Sequence, residues 1–440
     1  MILLSLGGMI FLSLGFLLES ATPKSMNDFK ASYYGAKCLL QHCDPYDRNN
    51  LTNLYLAEEG DRSSDSLNYR AIATTNVYLP PSLTLMAPFA FLHYGPAHVL
   101  WMAAIAASFL LASFLIWELG ADYSPEISGC LVGFFLANSQ LLIFTGNPAG
   151  IAVSLSIVAA WCFVRERFIP AGILCLATGL IVKPHDAGLI WLFFLLAGGA
   201  YRKRALQTLA LVIAFAVPTV VWVTHLSPHW TQELSTNLLP LSAHGGMNDP
   251  GPASSGAHGL AMITDLQTVV SVFWDDPRIY NLVSYLVCGP LLLAWMFVTF
   301  RNRTSTSRMW IGLAAIAALT MLPIYHRQYD AKLILLTVPA CLLAWSRGGL
   351  AGRLALAINA VGFVVVGDLP WAMLLGVMKD HPGLHAGISA RVLTMVEVFP
   401  VPLTLLAMGI FYLWLYIRWP SEPRRVAEPA LGPTQDLSPS

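Results

Sequence analysis

Long apolar runs separated by short polar interruptions set the pattern of this chain. A transmembrane helix needs about 20 mostly apolar residues, and runs near 2–18, 97–117, 126–144, 148–164, 168–182, 187–200, 205–225, 279–299, 308–324, 329–346, 354–374 and 396–417 are of that kind. They predict an all-α polytopic membrane protein with about twelve transmembrane helices. Several runs are short for a full crossing, which tilt or burial in a bundle accommodates. The apolar start has no small-x-small cleavage pattern after Leu18 and is read as an uncleaved first helix.

Two long polar segments interrupt the runs. The first loop, 19–78, holds an amphipathic stretch at 28–40 and the polar sequence AEEGDRSSDSLNYR. The second, 226–278, has a Gly/Pro/Ser-rich middle expected to be mobile, and then LAMITDLQTVVSVFWDD, which reads as a helix lying in the membrane interface. Residues 79–93, LPPSLTLMAPFAFLH, are apolar but short. Pro80, Pro81 and Pro88 each remove a backbone donor, so this segment is expected to be an interfacial helix rather than a span.

Charge gives the arrangement a direction. With the N-terminus inside, the short inner loops receive Arg165, Arg167, Arg202, Lys203, Arg204, Arg301, Arg303, Arg308, Arg347, Arg353, Arg418, Arg424 and Arg425, as the positive-inside rule requires. Both large loops then lie outside. Residues 1–419 form one membrane domain, and 420–440 read as a disordered cytoplasmic tail. The expected location is the cell inner (plasma) membrane, with the chemistry on the extracytoplasmic side.

Composition agrees: 56% of residues are hydrophobic, 11% are charged, and mean hydropathy is +0.61, where a soluble domain carries roughly 25% charged residues. Zero net formal charge offers no footprint for nucleic acid. The seven cysteines form no metal-type cluster. Cys38 and Cys43 share the first loop, and a disulfide between them would require an oxidising compartment. His225, His244 and His258 are scattered, and no metal site is expected.

Ionisable residues at span ends are costly and mark function. The predicted outer face collects Asp28, then Lys183 and Asp186 in VKPHDAG, then His326, Arg327, Asp330 and Lys332 in YHRQYDAK. A carboxylate facing several cations suits transfer to a hydroxyl from an anionic lipid-linked donor: the carboxylate takes the acceptor's proton and the cations stabilise the departing phosphate. Each residue has a plainer reading as well. Asp28 can be a helix N-cap with Asn27, and Lys183 a snorkelling interfacial lysine. Tyr33, Tyr34, Tyr46, Tyr55, Tyr69 and Tyr78 can form an aromatic belt, with a sugar-stacking surface as the alternative. Asp44 and Asp47 read as turn formers, and Gly146-Asn147-Pro148 as a tight turn only.

In order, DFKASYYGAKCLLQHCDPYD, VYLPPSLTLMAPFAFL, TGNPAGIAVSL, AGILCLATGLIVKPHDAGLIWLFFLL and YHRQYDAKLILL resemble the GT-C superfamily of membrane glycosyltransferases. Among these they most resemble glycosyltransferase family 87, the polyprenyl-phosphate-mannose-dependent mannosyltransferases. The resemblance implies a GT-C fold and an inverting transfer without a metal cofactor, from a polyprenyl-phosphate-sugar donor to a glycan or glycolipid acceptor. It places Asp28 at the catalytic carboxylate and Lys183, His326 and Arg327 at the donor phosphate. Tyr33, Tyr34, Asp44 and Tyr78 are candidate acceptor or sugar contacts. Membrane lipids are the expected surroundings, and a monomer the expected state. Two departures bear on the acceptor side: His42-Cys43-Asp44 stands where the family has a glycine, and Tyr78-Leu79-Pro80-Pro81 carries an extra residue. A transporter or lipid flippase is the competing reading. It requires polar groups at mid-membrane depth in two related halves, and the sequence shows no such repeat.

Overall fold

A computed structural model describes residues 1–22, 25–59, 67–252, 254, 262–301, 305–370, 372–373 and 388–420. The expected tail, apart from residue 420, lies outside the described residues, as do Arg303, His258 and the side chain of Tyr69. The described residues are 80% helical, with no strands among them.

The helices run in this order: α1 (Ile2–Ala21), α2 (Asn27–Leu40), α3 (Arg48–Glu59), α4 (Leu67–Ala73), α5 (Pro80–Ala90), α6 (Tyr94–Ala121), α7 (Pro125–Leu136), α8 (Leu141–Thr145), α9 (Ala149–Val164), α10 (Ile169–Val182), α11 (Pro184–Ala197), α12 (Gly199–Leu226) and α13 (Trp230–Ser242). Then come α14 (Leu266–Ser271), α15 (Pro277–Arg301), α16 (Thr306–Leu319), a 3-10 segment (Asp330–Leu336) running into α17 (Thr337–Ser346), α18 (Gly349–Val365), α19 (Ile388–Val398) and α20 (Pro400–Arg418). Each of the twelve expected runs overlaps a helical segment among the described residues. Six helices, counting α7 and α8 as one, are long and apolar enough to cross a membrane by length and composition. The others are shorter: α9 has 16 residues, about 24 Å at 1.5 Å per residue against a hydrocarbon core of about 30 Å.

Packing explains the short ones. From Arg308 to Leu319 every residue of α16 is buried, and α9 is buried over nearly its whole length between α6 and α10. Such helices are lined by protein rather than lipid. Small residues bring backbones together: a Cβ on Gly7 would meet the Gly133 carbonyl oxygen at 2.2 Å, so α1 and α7 cross backbone to backbone. Arg308 sits in the first turn of α16 and donates to the Tyr416 and Trp419 carbonyls at 3.2 and 3.0 Å. It thereby caps the C-terminal end of α20.

The two loops depart from the sequence reading. α14 is short and buried rather than interfacial, because Leu266 N and Thr264 N donate to the Leu322 and His326 carbonyls and pull the segment into the bundle. Within the Gly-rich middle of the second loop, Asp249 accepts from Gly245 N and Gly251 N and from the Tyr280 hydroxyl, fixing the turn at 245–251. Residues 253 and 255–261 of that stretch lie outside the described residues. In the first loop Cys38 and Cys43 are disulfide-bonded. Four of the tyrosines stand in no belt: Tyr33, Tyr34, Tyr46 and Tyr55 are buried. Tyr33 packs edge-on against Tyr34 and Tyr94, and Tyr34 against Tyr55.

Candidate active site

The site forms where α2, the α8–α9 turn, the α10–α11 junction and the segment before the 3-10 turn converge. Asp28 lies in the first turn of α2 but does not cap it. Met26 is the N-cap, in the left-handed conformation at φ 60°, and no side chain caps the helix. Three contacts fix this joint. Met26 N donates to the Phe144 carbonyl at 2.9 Å. Phe29 stacks on Trp101 with centroids 5.4 Å apart, and the Trp101 indole donates to the Gly146 carbonyl at 2.8 Å. Gly146 has φ +61°, and a Cβ there would meet the Met26 sulfur at 2.4 Å, so only glycine lets the turn close on α2.

That closure delivers Asn147. Its side-chain oxygen accepts from Ala149 N at 2.8 Å, which turns the amide nitrogen outward. The nitrogen donates to Asp28 Oδ2 at 2.8 Å and reaches the Tyr329 hydroxyl at 3.0 Å. The residue read from sequence as part of a plain turn is therefore the direct partner of the candidate base. Asp28 is half-buried. Burial pushes its carboxyl above the usual range, while the Asn147 hydrogen bond and the charges of Arg327 and Lys183 pull it back. Tyr78 is half-buried beside it, its hydroxyl 3.4 Å from the Asp28 carbonyl oxygen. Burial holds the Tyr78 phenol well above its ordinary value, so it remains a neutral donor.

Lys183 does not snorkel. It ends α10 and starts α11, its ammonium pairs with Asp330 and lies 3.7 Å from Asp186 Oδ2, and it sits 4.9 Å from the Tyr329 ring centroid. Arg327 is 9% exposed. Its backbone N–H donates to Asp330 Oδ2 at 2.8 Å, and its guanidinium donates to the Tyr325 hydroxyl, the Met247 carbonyl and Asn248 Oδ1. The fixed turn of the second loop is thus what holds Arg327. His326 is fully buried and faces Asp186. Its segment is set by an isolated antiparallel bridge between Ile263 and Arg327.

Other expected residues lie apart from this group. Lys332, in the same sequence cluster, points away and pairs with Asp368. Tyr33 donates to Glu58 and the Leu92 carbonyl, Tyr34 is enclosed by aromatic rings, and Asp44, past the far end of α2, accepts from Tyr46 N in its own turn. Of the four candidate acceptor contacts, the structure brings only Tyr78 to Asp28. A separate cavity of about 600 Å³ lies on another side of α2, its walls including Glu19, Lys30, Glu58, His93 and His98. Among the described residues, His185, Asp186 and His326 are the one group arranged so that they could hold a metal ion. The expected absence of a metal rested on other histidines and passed over His185, which the adjacent His-Asp pair in KPHDAG could have flagged.

No curated protein matches the chain. The model of glycosyltransferase family 87 matches residues 76–324, more than half of the sequence, including Tyr78, Asn147, Lys183, His185 and Asp186. With that family and these apolar helices a transporter without transferase activity is set aside: the chain belongs to glycosyltransferase family 87 and is a membrane glycosyltransferase.

Proposed function

We propose that the protein transfers a hexose, with mannose as the first choice, from a polyprenyl-phosphate-linked donor to a hydroxyl of a lipid or glycan acceptor, with inversion and on the extracytoplasmic face. One observation carries the reading: a half-buried carboxylate, Asp28, hydrogen-bonded through Asn147 to Tyr329, lies within the charge field of two cations, Lys183 and Arg327, drawn from distant parts of the chain.

In this reaction Asp28 takes the proton of the acceptor hydroxyl as its oxygen attacks the anomeric carbon. The bond from that carbon to the phosphate oxygen breaks on the opposite side, and polyprenyl phosphate leaves. A base with a raised pKa is the better proton acceptor near neutral pH. Lys183 and Arg327 neutralise the charge gathering on the leaving phosphate. His326 is enclosed behind Asp186 and acts on this group through that carboxylate. Asn147 and Tyr329 hold the base. The transfer as written draws on side chains alone.

Helix direction supports the sidedness. α9 starts beside Asn147 and ends at Arg165, and α10 runs back to Lys183. The site therefore lies at the opposite helix ends from Arg165 and Arg204, which pair with Asp122 and Glu166, and the positive-inside rule puts those arginines in the cytoplasm. The Cys38–Cys43 disulfide, from the last turns of α2 to the loop after it, suits an oxidising compartment.

Asp28→Asn should insert and fold normally while transfer from labelled polyprenyl-phosphate-mannose drops by about 10²–10⁴-fold, the usual contribution of a positioned base. Near-normal transfer by this variant would remove Asp28 from the role. Parallel donors carrying other hexoses, offered to the unaltered protein, test the choice of mannose.

A further inference from the structure

We propose that His185, Asp186 and His326 form a binding site for a divalent transition-metal cation of the zinc type, set into the wall of the active site behind Lys183. The inference does not depend on the sugar, donor or acceptor named above.

The first argument is spacing. His185 and Asp186 open α11, and His326 arrives from the bridged segment before the 3-10 turn, yet one ligand atom from each lies within 4.8 Å of the others. Asp186 Oδ1 is 3.4 Å from His326 Nε2 and 3.7 Å from His185 Nε2. These distances are long for charged hydrogen bonds, which fall near 2.7–2.9 Å. They are close to the edge of a coordination tetrahedron: nitrogen and oxygen ligands roughly 2.0–2.1 Å from zinc lie about 3.3–3.4 Å from each other.

The second argument is unmet demand. His185 Nε2, His326 Nε2 and both Asp186 carboxylate oxygens are buried with no hydrogen-bond partner among the described residues. Asp186 and His326 are 0% exposed. Buried polar atoms are nearly always satisfied. Three of these four, Asp186 Oδ1 and the two Nε2 atoms, face one another and are satisfied together by a cation placed between them.

The third argument is orientation. His326 Nδ1 lies 2.9 Å from the Ile324 carbonyl oxygen. A carbonyl only accepts, so Nδ1 carries the proton, and in the neutral ring Nε2 presents its lone pair to Asp186. Ligating histidines are held in this way, by a second partner on the far nitrogen. Two imidazoles and one carboxylate favour zinc and its first-row neighbours over magnesium or calcium. Three protein ligands leave a fourth position for water or another oxygen ligand. Lys183 does not block the site, since its ammonium sits against Asp330 and the other Asp186 oxygen.

The test uses the full chain, purified in detergent, stripped with chelator and freed of any histidine tag. Titration with Co²⁺ should give the visible bands of four-coordinate cobalt at stoichiometric loading, and Zn²⁺ should bleach them. His185→Gln, Asp186→Asn and His326→Gln should each weaken Co²⁺ affinity at least about tenfold, whereas Asp28→Asn should leave it unchanged. His185 is the least buried of the three, so His185→Gln is the variant that tests binding with the fold kept, checked by circular dichroism and a single elution peak. The competing arrangement is a doubly protonated His326 paired with Asp186, which predicts no four-coordinate spectrum. That result, or an unaltered titration in His185→Gln, would overturn the site.

Discussion

Two buried lysine–aspartate centres lie in this protein, and they are built to opposite standards. Lys332 donates to the Asn138 carbonyl at 3.1 Å, to the Val366 carbonyl at 2.8 Å and to Asp368 Oδ1 at 2.6 Å. Those are three acceptors for three ammonium protons. Asp368 Oδ2 takes the Leu141 N–H at 2.7 Å. Both charged groups of the pair are matched, and the centre ties the α7–α8 linker, the 3-10 turn and the end of α18 together. Around Lys183 the accounts stay open: two aspartates share one ammonium, and four neighbouring polar atoms lack hydrogen-bond partners. A closed centre holds helices, whereas an open one is poised to take a ligand.

Exchanging alanine for the two lysines is the sharpest way to break this contrast. Lys332→Ala strands a buried carboxylate and should cost about 3–5 kcal/mol of stability, read as a large drop in detergent melting temperature. Lys183→Ala also strands buried carboxylates, on Asp330 and Asp186, so melting should fall there too. Its folded fraction, however, should lose transfer by about 10²–10³-fold, the scale for losing one preorganised charge partner, where the folded fraction of Lys332→Ala keeps near-normal transfer. If the effects on transfer were exchanged, the assignment of roles would be reversed.

A smaller effect sharpens the electrostatics. Transfer requires ionised Asp28, so the rate should climb with pH until that carboxyl has lost its proton. Arg327 lowers the Asp28 pKa. Arg327→Gln should therefore move the acidic limb of the pH–rate profile to higher pH, separately from any fall in the plateau. A limb that stayed in place would show that Arg327 does not act on the base. The smallest effect is expected from Tyr329→Phe, which removes one hydroxyl next to the Asn147 amide. One neutral hydrogen bond is worth about 0.5–1.5 kcal/mol, so transfer should fall by no more than about tenfold.

The helices were legible in the sequence, because apolar runs of about twenty residues are a physical necessity in a bilayer. The site was legible in part. Charged residues at span ends stood out, and Asp28, Lys183 and Arg327 do converge. Asn147 did not stand out, since Gly-Asn-Pro serves any tight turn and its amide matters only once α2 closes on it. Lys332 misled for a local reason. A 3-10 turn advances about 120° per residue, so Asp330 and Lys332, two apart, face different ways and serve different centres. Four tyrosines of the first loop were misread because composition alone does not separate an interfacial ring from one packed in a folded loop.

The crossing of α1 and α7 at Gly7 and Gly133 has an effect far from lipid. α1 contributes little to the core, with 28% of its apolar window buried, yet it leads directly into the helix that carries Asp28. It is pinned at the glycine crossing and again where Met26 meets Phe144. Between those pins its lipid-facing side chains are free to drift in sequence without moving the base. A bulkier residue at position 7 would shift the whole strut, and so detune the enzyme from a position that never touches substrate.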